Sequence, residues 1–196
     1  MQKIISLFQR NYEGDRLVRD EVVLGSEWVL ANEGKPTVKV DGTACAFIDG
    51  ILFKRYDAKP GRVPPLGWIP AQEPDPVTGH HPGWVTVGSG PEDKWHREAW
   101  TWAKTREACA DGTYELVGPK FQGNPYGCIG HMLVRHGEDV PATLEQTSLL
   151  RDANPRDFDG IRDFLARQLI EGIVWHHPDG RMVKIKARDY GLAWPR

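Results

Sequence analysis

The sequence contains no long apolar run and few cysteines. Hydrophobic residues make up 40% of the 196 positions, and no stretch approaches the roughly 18 consecutive apolar residues of a membrane-spanning helix. Residues 1–8 resemble a short strand, and the polar residues 9–11 then interrupt it, which does not fit the apolar core of a signal peptide. The three cysteines, Cys45, Cys109 and Cys128, have no paired spacing and are typical of reduced thiols. We therefore expect a cytoplasmic protein with no membrane association.

The chain also has no large excess of positive or negative charge. The chain has 25 lysines and arginines against 27 aspartates and glutamates, which gives a formal net charge of −2. A general nucleic-acid binder owes its affinity to a broad basic face. Any polyanionic ligand of this protein must therefore be held by a local cluster of cations.

Glycine, proline and tryptophan are abundant, with 21, 15 and 8 copies, and favour short strands and shaped loops over a helical bundle. Helices are predicted over residues 91–110 and 156–170, with a shorter one over 143–151. Asp49-Gly50 predicts a tight hairpin turn between two strands. We expect one α+β domain over residues 1–196, built from antiparallel strands with a few helices between them.

Charged residues occur on four predicted strands where local propensity gives no reason for charge. They are Lys39 with Asp41, Glu115, Glu171, and Lys184 with Lys186. Residues two apart in a strand project from the same face, so Lys39 and Asp41 would point together, and so would Lys184 and Lys186. Two ammonium groups on one face suit the binding of a phosphate. Taken singly, each cluster is equally compatible with a salt bridge or a solvated strand face.

The order of the clusters resembles a known family. The strings KVDGT, YELVGPK, EGIVW and MVKIK are similar, in this order, to motifs I, III, IV and V of the covalent nucleotidyltransferase superfamily. That superfamily holds the ATP-dependent DNA ligases, the RNA ligases and the mRNA-capping enzymes, and the small ATP-dependent RNA ligases are the most similar branch. The resemblance covers about residues 28–190. It implies an adenylation domain of twisted antiparallel sheets with flanking helices and a nucleotide pocket between them.

The resemblance also implies roles for the basic residues. Lys39 would attack the α-phosphate of ATP to form a lysine–AMP intermediate and release pyrophosphate. Lys184 and Lys186 would contact that phosphate, and their charge would favour the neutral, nucleophilic form of Lys39. Arg55 would touch the ribose or the incoming 5′-phosphate of the RNA, in preference to Lys54, because neighbours on a strand face opposite ways.

The remaining implied roles concern the nucleoside and the metal. Glu115 would hold the ribose hydroxyls, and the backbone of Val38 could read the edge of the base. Asp41 and Glu171 would hold Mg²⁺ (or Mn²⁺), for which one or two carboxylates together with phosphate suffice. The aromatic residue that stacks on adenine in the family should lie within residues 128–134. His131 is the ring available there, and the apolar side chains of that strand could serve instead.

The chain ends shortly after Lys186, so the resemblance predicts an adenylation domain with no C-terminal OB-fold or helical domain. A partner protein could replace the missing part. We expect an ATP- and Mg²⁺-dependent RNA ligase that joins RNA 5′-phosphate and 3′-hydroxyl ends in RNA repair. The alternatives are an adenylyltransferase that acts on a DNA end or a non-nucleic-acid acceptor, a capping-type guanylyltransferase, and a non-catalytic module that binds nucleotides or RNA ends.

Overall fold

The computed structural model describes residues 4–76, 78–105, 110–138, 150 and 152–195. Within these ranges the chain forms three sheets and two α-helices, which confirms the predicted mixed α+β class. None of the helices in the described ranges has the length and hydropathy that crossing a bilayer requires. The short helix predicted over 143–151 lies almost entirely outside the described residues.

The chain divides into two compact units. We call the unit that contains residues 41–136 the Glu115 unit, and the unit that contains residues 4–40 and the chain after residue 136 the Lys39 unit. The strands and α-helices, in chain order, are β1 (Ile5–Ser6), β2 (Phe8–Arg10), β3 (Val18–Val22), β4 (Lys35–Lys39), β5 (Thr43–Ile48), β6 (Ile51–Ala58), β7 (Ile69–Pro70), β8 (His81–Thr86), α1 (Lys94–Lys104), β9 (Gly112–Val117), β10 (Met132–Arg135), α2 (Phe158–Arg167), β11 (Gly172–His176) and β12 (Met182–Lys186).

The Glu115 unit is built on a six-stranded antiparallel sheet with the order β10-β9-β5-β6-β8-β7. β5 and β6 are joined by Asp49 and Gly50, whose φ angles of 51° and 75° confirm the predicted hairpin turn. Residues of α1 and of one sheet face share a buried apolar cluster that includes Phe47, Leu52 and Ala99. The helix predicted over 91–110 begins with a 3₁₀ turn at Pro91–Asp93 and continues as α1.

The Lys39 unit contains a four-stranded sheet with the order β1-β12-β11-β4 and a small β2-β3 sheet. Strand β12 alternates as predicted, because Val183 and Ile185 are buried while Lys184 and Lys186, each of which follows one of them, are half-buried. Helix α2 confirms the second predicted helix with tighter bounds. Its N-terminus is capped by Asp157, whose carboxylate accepts a hydrogen bond of 2.8 Å from the backbone N–H of Gly160.

The expectation that one strand carries both Lys39 and Asp41 is wrong, because β4 does not extend to Asp41. Strand β4 ends at Lys39, which pairs with Gly172, and Gly172 is the first residue of the partner strand β11. Asp41 therefore follows the end of the paired strand. The strand predicted within residues 128–134 also begins later than expected, at Met132. The Asn124 side chain bonds the backbone N–H and C=O of Cys128 and holds the preceding segment as a loop.

Candidate active site

Three of the predicted motifs meet at one end of the four-stranded sheet. Gly172 on the central strand β11 pairs with Lys39 on one side and with Lys186 on the other. Glu171 immediately precedes this glycine. The pairing therefore brings a lysine of motif I, the glutamate of motif IV and a lysine of motif V together, although they are far apart in sequence.

The side chains of this cluster are in contact. Glu171 is buried, with 6% of its surface exposed. One of its carboxylate oxygens forms an ion pair with the Lys39 ammonium. The other, Oε1, lies 3.4 Å from Nζ of Lys186. We call Lys39, Glu171, Lys184 and Lys186 the lysine cluster.

Lys184 is the third cation of the lysine cluster. Burial, together with the positive charges of Lys186 and Lys39, lowers its pKa to about 8. Two ammonium groups, those of Lys39 and Lys186, thus contact one buried carboxylate, and the partly buried Lys184 is close enough for the charges of these groups to affect its pKa. An anion bound among them would relieve their repulsion, so this end of the sheet suits a phosphate group.

The close approach of β11 and β12 at the lysine cluster requires glycine at position 172. A Cβ atom there would overlap the carbonyl oxygen of Ile185. Val38, predicted to read the base edge, lies next to Lys39 on β4 and pairs with Ile173. The sheet thus places it beside the predicted nucleophile.

The carboxylates of the described residues can be compared with the ligands that a divalent metal ion requires. Within the described ranges, no group of three or more His, Cys, Asp or Glu residues is arranged to hold a metal ion. Glu171 does offer a buried carboxylate next to the lysine cluster. Mg²⁺ keeps several waters and binds through one or two carboxylates together with substrate phosphates, so this donor set fits Mg²⁺ bound along with a nucleotide.

A second set of predicted residues lies on one face of the sheet in the Glu115 unit. Ala46 of β5 pairs with Thr113 on one side and with Phe53 on the other. By strand alternation, Glu115 shares the face of Thr113, and Arg55 shares the face of Phe53. The β5 residues between them on this face are alanines, so short methyl groups separate the carboxylate from the guanidinium.

Arg55 and Lys54 have different environments. The Nε of Arg55 donates to Oδ1 of Asp57 at 2.6 Å, and its guanidinium lies 5.5 Å from the ring centroid of Trp84. Lys54 points to the opposite face and forms an ion pair with the buried Asp93. The opposite orientation of the two neighbours, predicted from strand geometry, is confirmed.

The carboxylate of Glu115 is held by groups that sequence reasoning missed. The backbone N–H of Gly42 donates to Oε1 at 3.1 Å, and Oε2 lies 3.0 Å from Nε2 of His136. The other ring nitrogen of His136, Nδ1, lies 3.0 Å from Oγ1 of Thr113. Thr113 could have been found, because it lies two residues before Glu115 on the same strand face. His136 follows the end of β10 and carries no such signal.

Tyr126 was also missed. Its hydroxyl accepts a hydrogen bond of 2.6 Å from the backbone N–H of Asp41. Tyr126 lies in the loop after β9, far from Asp41 in sequence, so no sequence pattern connects the two. The contact ties the segment that follows motif I to that loop.

His131, the ring considered for stacking on the base, is part of the core. It is 5% exposed, lies parallel to the Trp95 ring with a centroid distance of 4.7 Å, and bonds Glu98 on α1 at 2.9 Å. Val134 pairs with Glu115, and Met132 pairs with Val117. These two apolar residues therefore lie on the Glu115 face and fit the alternative of an apolar shelf.

Known proteins to which this chain is similar are RNA ligases, which agrees with the motifs described above. The family model RNA ligase 1 matches residues 103–196. RNA ligase 1 of Mus musculus is 28% identical over an alignment of 230 positions, which covers 81% of this chain and 67% of that protein. RNA ligase 1 of Pongo abelii is 30% identical over 178 positions, which covers 71% of this chain and 51% of that protein.

A shorter match, 37% identical over 93 residues, is to RNA ligase 1 of Danio rerio. It covers 42% of this chain and 25% of that protein. The chain thus spans about two thirds of the Mus musculus protein and about half of the Pongo abelii protein. The predicted resemblance to an RNA ligase family is confirmed by these matches.

Proposed function

We propose that this chain is the adenylation domain of an ATP-dependent RNA ligase that works through a covalent lysine–AMP intermediate on Lys39. The observation that carries the proposal is the lysine cluster, in which Lys39 and Lys186 contact the buried Glu171 and the partly buried Lys184 lies near their charges. The family matches support RNA ligase activity, and the motif order supports a nucleotidyltransferase fold.

In the first step Lys39 gives up its ammonium proton to water, and the positive charges of Lys184 and Lys186 favour this loss. The neutral amine attacks the α-phosphorus of ATP, so that an N–P bond forms while the bond to the β-phosphate oxygen breaks and pyrophosphate leaves. Lys184 and Lys186 stabilise the negative charge on the α-phosphate oxygens.

Bound Mg²⁺ or Mn²⁺, with Glu171 and Asp41 as its proposed protein ligands, would supply positive charge that favours the departure of pyrophosphate. The carboxylate of Glu171 is shared by Lys39 and Lys186. Phosphate oxygens that enter the cluster compete for these ammonium groups and so free the carboxylate.

In the second step the 5′-phosphate of an RNA displaces Lys39 from AMP, which forms a phosphoanhydride and restores the amine. In the third step the 3′-hydroxyl of another RNA end attacks the activated 5′-phosphate and releases AMP. Glu115 holds the ribose hydroxyls of the nucleotide, Val38 reads the base edge, and Arg55 contacts the ribose or the incoming phosphate.

The proposal is tested by incubating the protein with α-labelled ATP and Mg²⁺. Wild-type protein should become labelled and release pyrophosphate, whereas Lys39→Ala and Lys39→Arg should stay unlabelled. Lys59→Ala removes an exposed lysine outside the lysine cluster and should label like the wild type. Wild-type protein that stays unlabelled with every nucleoside triphosphate would contradict the proposal, and ATP binding without pyrophosphate release would indicate a binding module.

The acceptor is tested separately. Labelled protein is offered nicked RNA, single-stranded RNA with 5′-phosphate and 3′-hydroxyl ends, and the matching DNAs. Sealing of RNA with release of AMP is the expected result. Labelling by GTP instead of ATP would identify a capping-type guanylyltransferase, and transfer of AMP to DNA alone would identify a different acceptor.

A further inference from the structure

The hydrogen bonds around Glu115 assign a role to His136. We propose that His136 is a positioning residue that fixes the Glu115 carboxylate and thereby sets the preference for ribonucleotides over deoxyribonucleotides. This inference rests on the proposed function, because Glu115 is the residue that would hold the ribose hydroxyls.

Both oxygens of the Glu115 carboxylate have a partner in the protein. Gly42 N–H lies 3.1 Å from Oε1, and His136 Nε2 lies 3.0 Å from Oε2. The Glu115 side chain is 13% exposed. A carboxylate oxygen can accept two hydrogen bonds, so each oxygen keeps one open direction for a ligand. The protein thus fixes both the plane of the carboxylate and the directions from which a hydroxyl can donate.

The donor directions along this chain of contacts follow from the chemistry of the groups. An ionised carboxylate only accepts, so His136 donates through Nε2–H. A neutral imidazole then has its acceptor at Nδ1, which lies 3.0 Å from Oγ1 of Thr113. The Thr113 hydroxyl therefore donates to Nδ1, and the relay runs from Thr113 through His136 to Glu115. The tautomer is assigned from this network.

The backbone holds the relay in place. The N–H of His136 donates to the carbonyl oxygen of Thr113 at 3.0 Å, so both the main chain and the ring of His136 are tied to Thr113. Thr113 and Glu115 lie on the same face of β9. A carboxylate held in this way need not be ordered when ribose binds, and pre-organised donors and acceptors discriminate more sharply than mobile ones.

The first experiment compares ATP with 2′-deoxy-ATP and 3′-deoxy-ATP as labels of the full chain. The Glu115→Ala variant measures how much discrimination the carboxylate supplies. His136→Ala should lose most of that same discrimination. The preference for ATP over the deoxynucleotides should fall by roughly tenfold, because one hydrogen bond to a charged group contributes about that factor. The loss should appear in KM for ATP, with kcat changed much less.

Conservative variants separate positioning from a general structural effect. Thr113→Val removes the hydroxyl at nearly constant shape and should lower the discrimination, whereas Thr113→Ser should restore it. His136→Gln keeps a donor amide and should retain part of the preference. His80→Ala removes an exposed loop histidine and should leave the ratio unchanged. An unchanged ratio in His136→Ala, while Glu115→Ala loses it, would overturn the inference.

The second experiment does not depend on activity. Nitrogen-15 spectra of the histidine side chains, with His136 assigned through His136→Gln, report which ring nitrogen carries the proton. The relay requires the Nε2–H tautomer and a shift of the His136 signals in Glu115→Gln. An Nδ1–H tautomer of His136, or His136 signals that are the same in Glu115→Gln and in the wild type, would overturn the inference. If wild-type protein is never labelled, the proposed function fails, and these spectra still decide the relay.

Discussion

Lys39 forms an ion pair with Glu171, the residue directly before β11. The same carboxylate also lies 3.4 Å from the Lys186 ammonium. A buried carboxylate thus balances two of the three cations in the lysine cluster, while burial and the neighbouring charges lower the pKa of Lys184. This excess of positive charge suits the binding of an anion, and substitution of the charged residues tests that role.

Glu171→Gln removes the counter-charge of the lysine cluster while keeping the shape of the side chain. The lysines then repel one another without compensation, and Lys39 loses the carboxylate in contact with it. We expect self-labelling with ATP to fall by about a hundredfold and the free energy of unfolding to drop by about 2 kcal/mol. Labelling rates and urea unfolding curves measure the two effects.

Glu98→Gln is the matched control, because it makes the same chemical change in a half-exposed side chain of α1 that pairs with His131. Its labelling should stay near that of the wild type. Full labelling in Glu171→Gln would mean that this carboxylate has no part in the reaction.

Lys184→Met should stabilise the protein at neutral pH. The pKa of Lys184 is about 8 in the folded chain, chiefly because of burial, against the ordinary 10.5. Since the unfolded chain holds this proton more tightly, folding is penalised below pH 8, and the penalty disappears as the pH rises to 10.5. We expect a gain of about 1–2 kcal/mol at pH 7 that shrinks over this window.

Urea unfolding of both proteins at several pH values checks this, with Lys59→Met as the control for an exposed lysine. A stability difference that stays constant from pH 7 to 10.5 would show that the charge of Lys184 is not its source. The same variant should label poorly, so that stability and activity change in opposite directions.

The strand period and the turn residues, which are both visible in the sequence, predicted those features that depend only on neighbouring residues. The alternation of Lys184 and Lys186 with buried neighbours follows from the strand period, and the hairpin at Asp49 follows from turn chemistry. The motif order connected Lys39, Glu115 and Glu171 through a family resemblance, and the register of β4, β11 and β12 supplies the contact between Lys39 and Glu171.

The missed features depend on contacts between distant residues. The contact of His136 with Glu115 joins two strands whose register the sequence does not specify. The end of β4 at Lys39 depends on where its partner strand begins. The strand period alone does not define that end, and the prediction therefore extended the strand to Asp41. His131 looked available for a base until the structure placed it against Trp95.

Arg156 is a structural residue that the sequence did not single out. Its guanidinium donates to three backbone carbonyl oxygens, those of Val29, Glu33 and Gly34, just before β4. Arg156→Ala leaves these acceptors without their charged donor, and we expect a loss of about 2 kcal/mol in the free energy of unfolding.

Urea unfolding measures the loss. Arg162→Ala is the control, since that half-exposed side chain pairs only with the exposed carboxylates of Asp159 and Asp163 among the contacts described. It should cost less than about 0.5 kcal/mol. Equal losses in the two variants would mean that the carbonyl contacts of Arg156 contribute no more than a surface ion pair.

Gly172→Ala tests whether the geometry of the lysine cluster depends on the close approach of two strands. A methyl group at this position would overlap the carbonyl oxygen of Ile185, so β11 and β12 must move apart where Gly172 pairs with Lys39 and Lys186. Because a displacement near 1 Å can cost about a hundredfold in rate, we expect self-labelling to fall by about that factor. Gly130→Ala is the matched control, since a Cβ there meets nothing within 4 Å. Wild-type labelling in a folded Gly172→Ala protein would show that the reaction does not depend on the close approach of β11 and β12 at the lysine cluster.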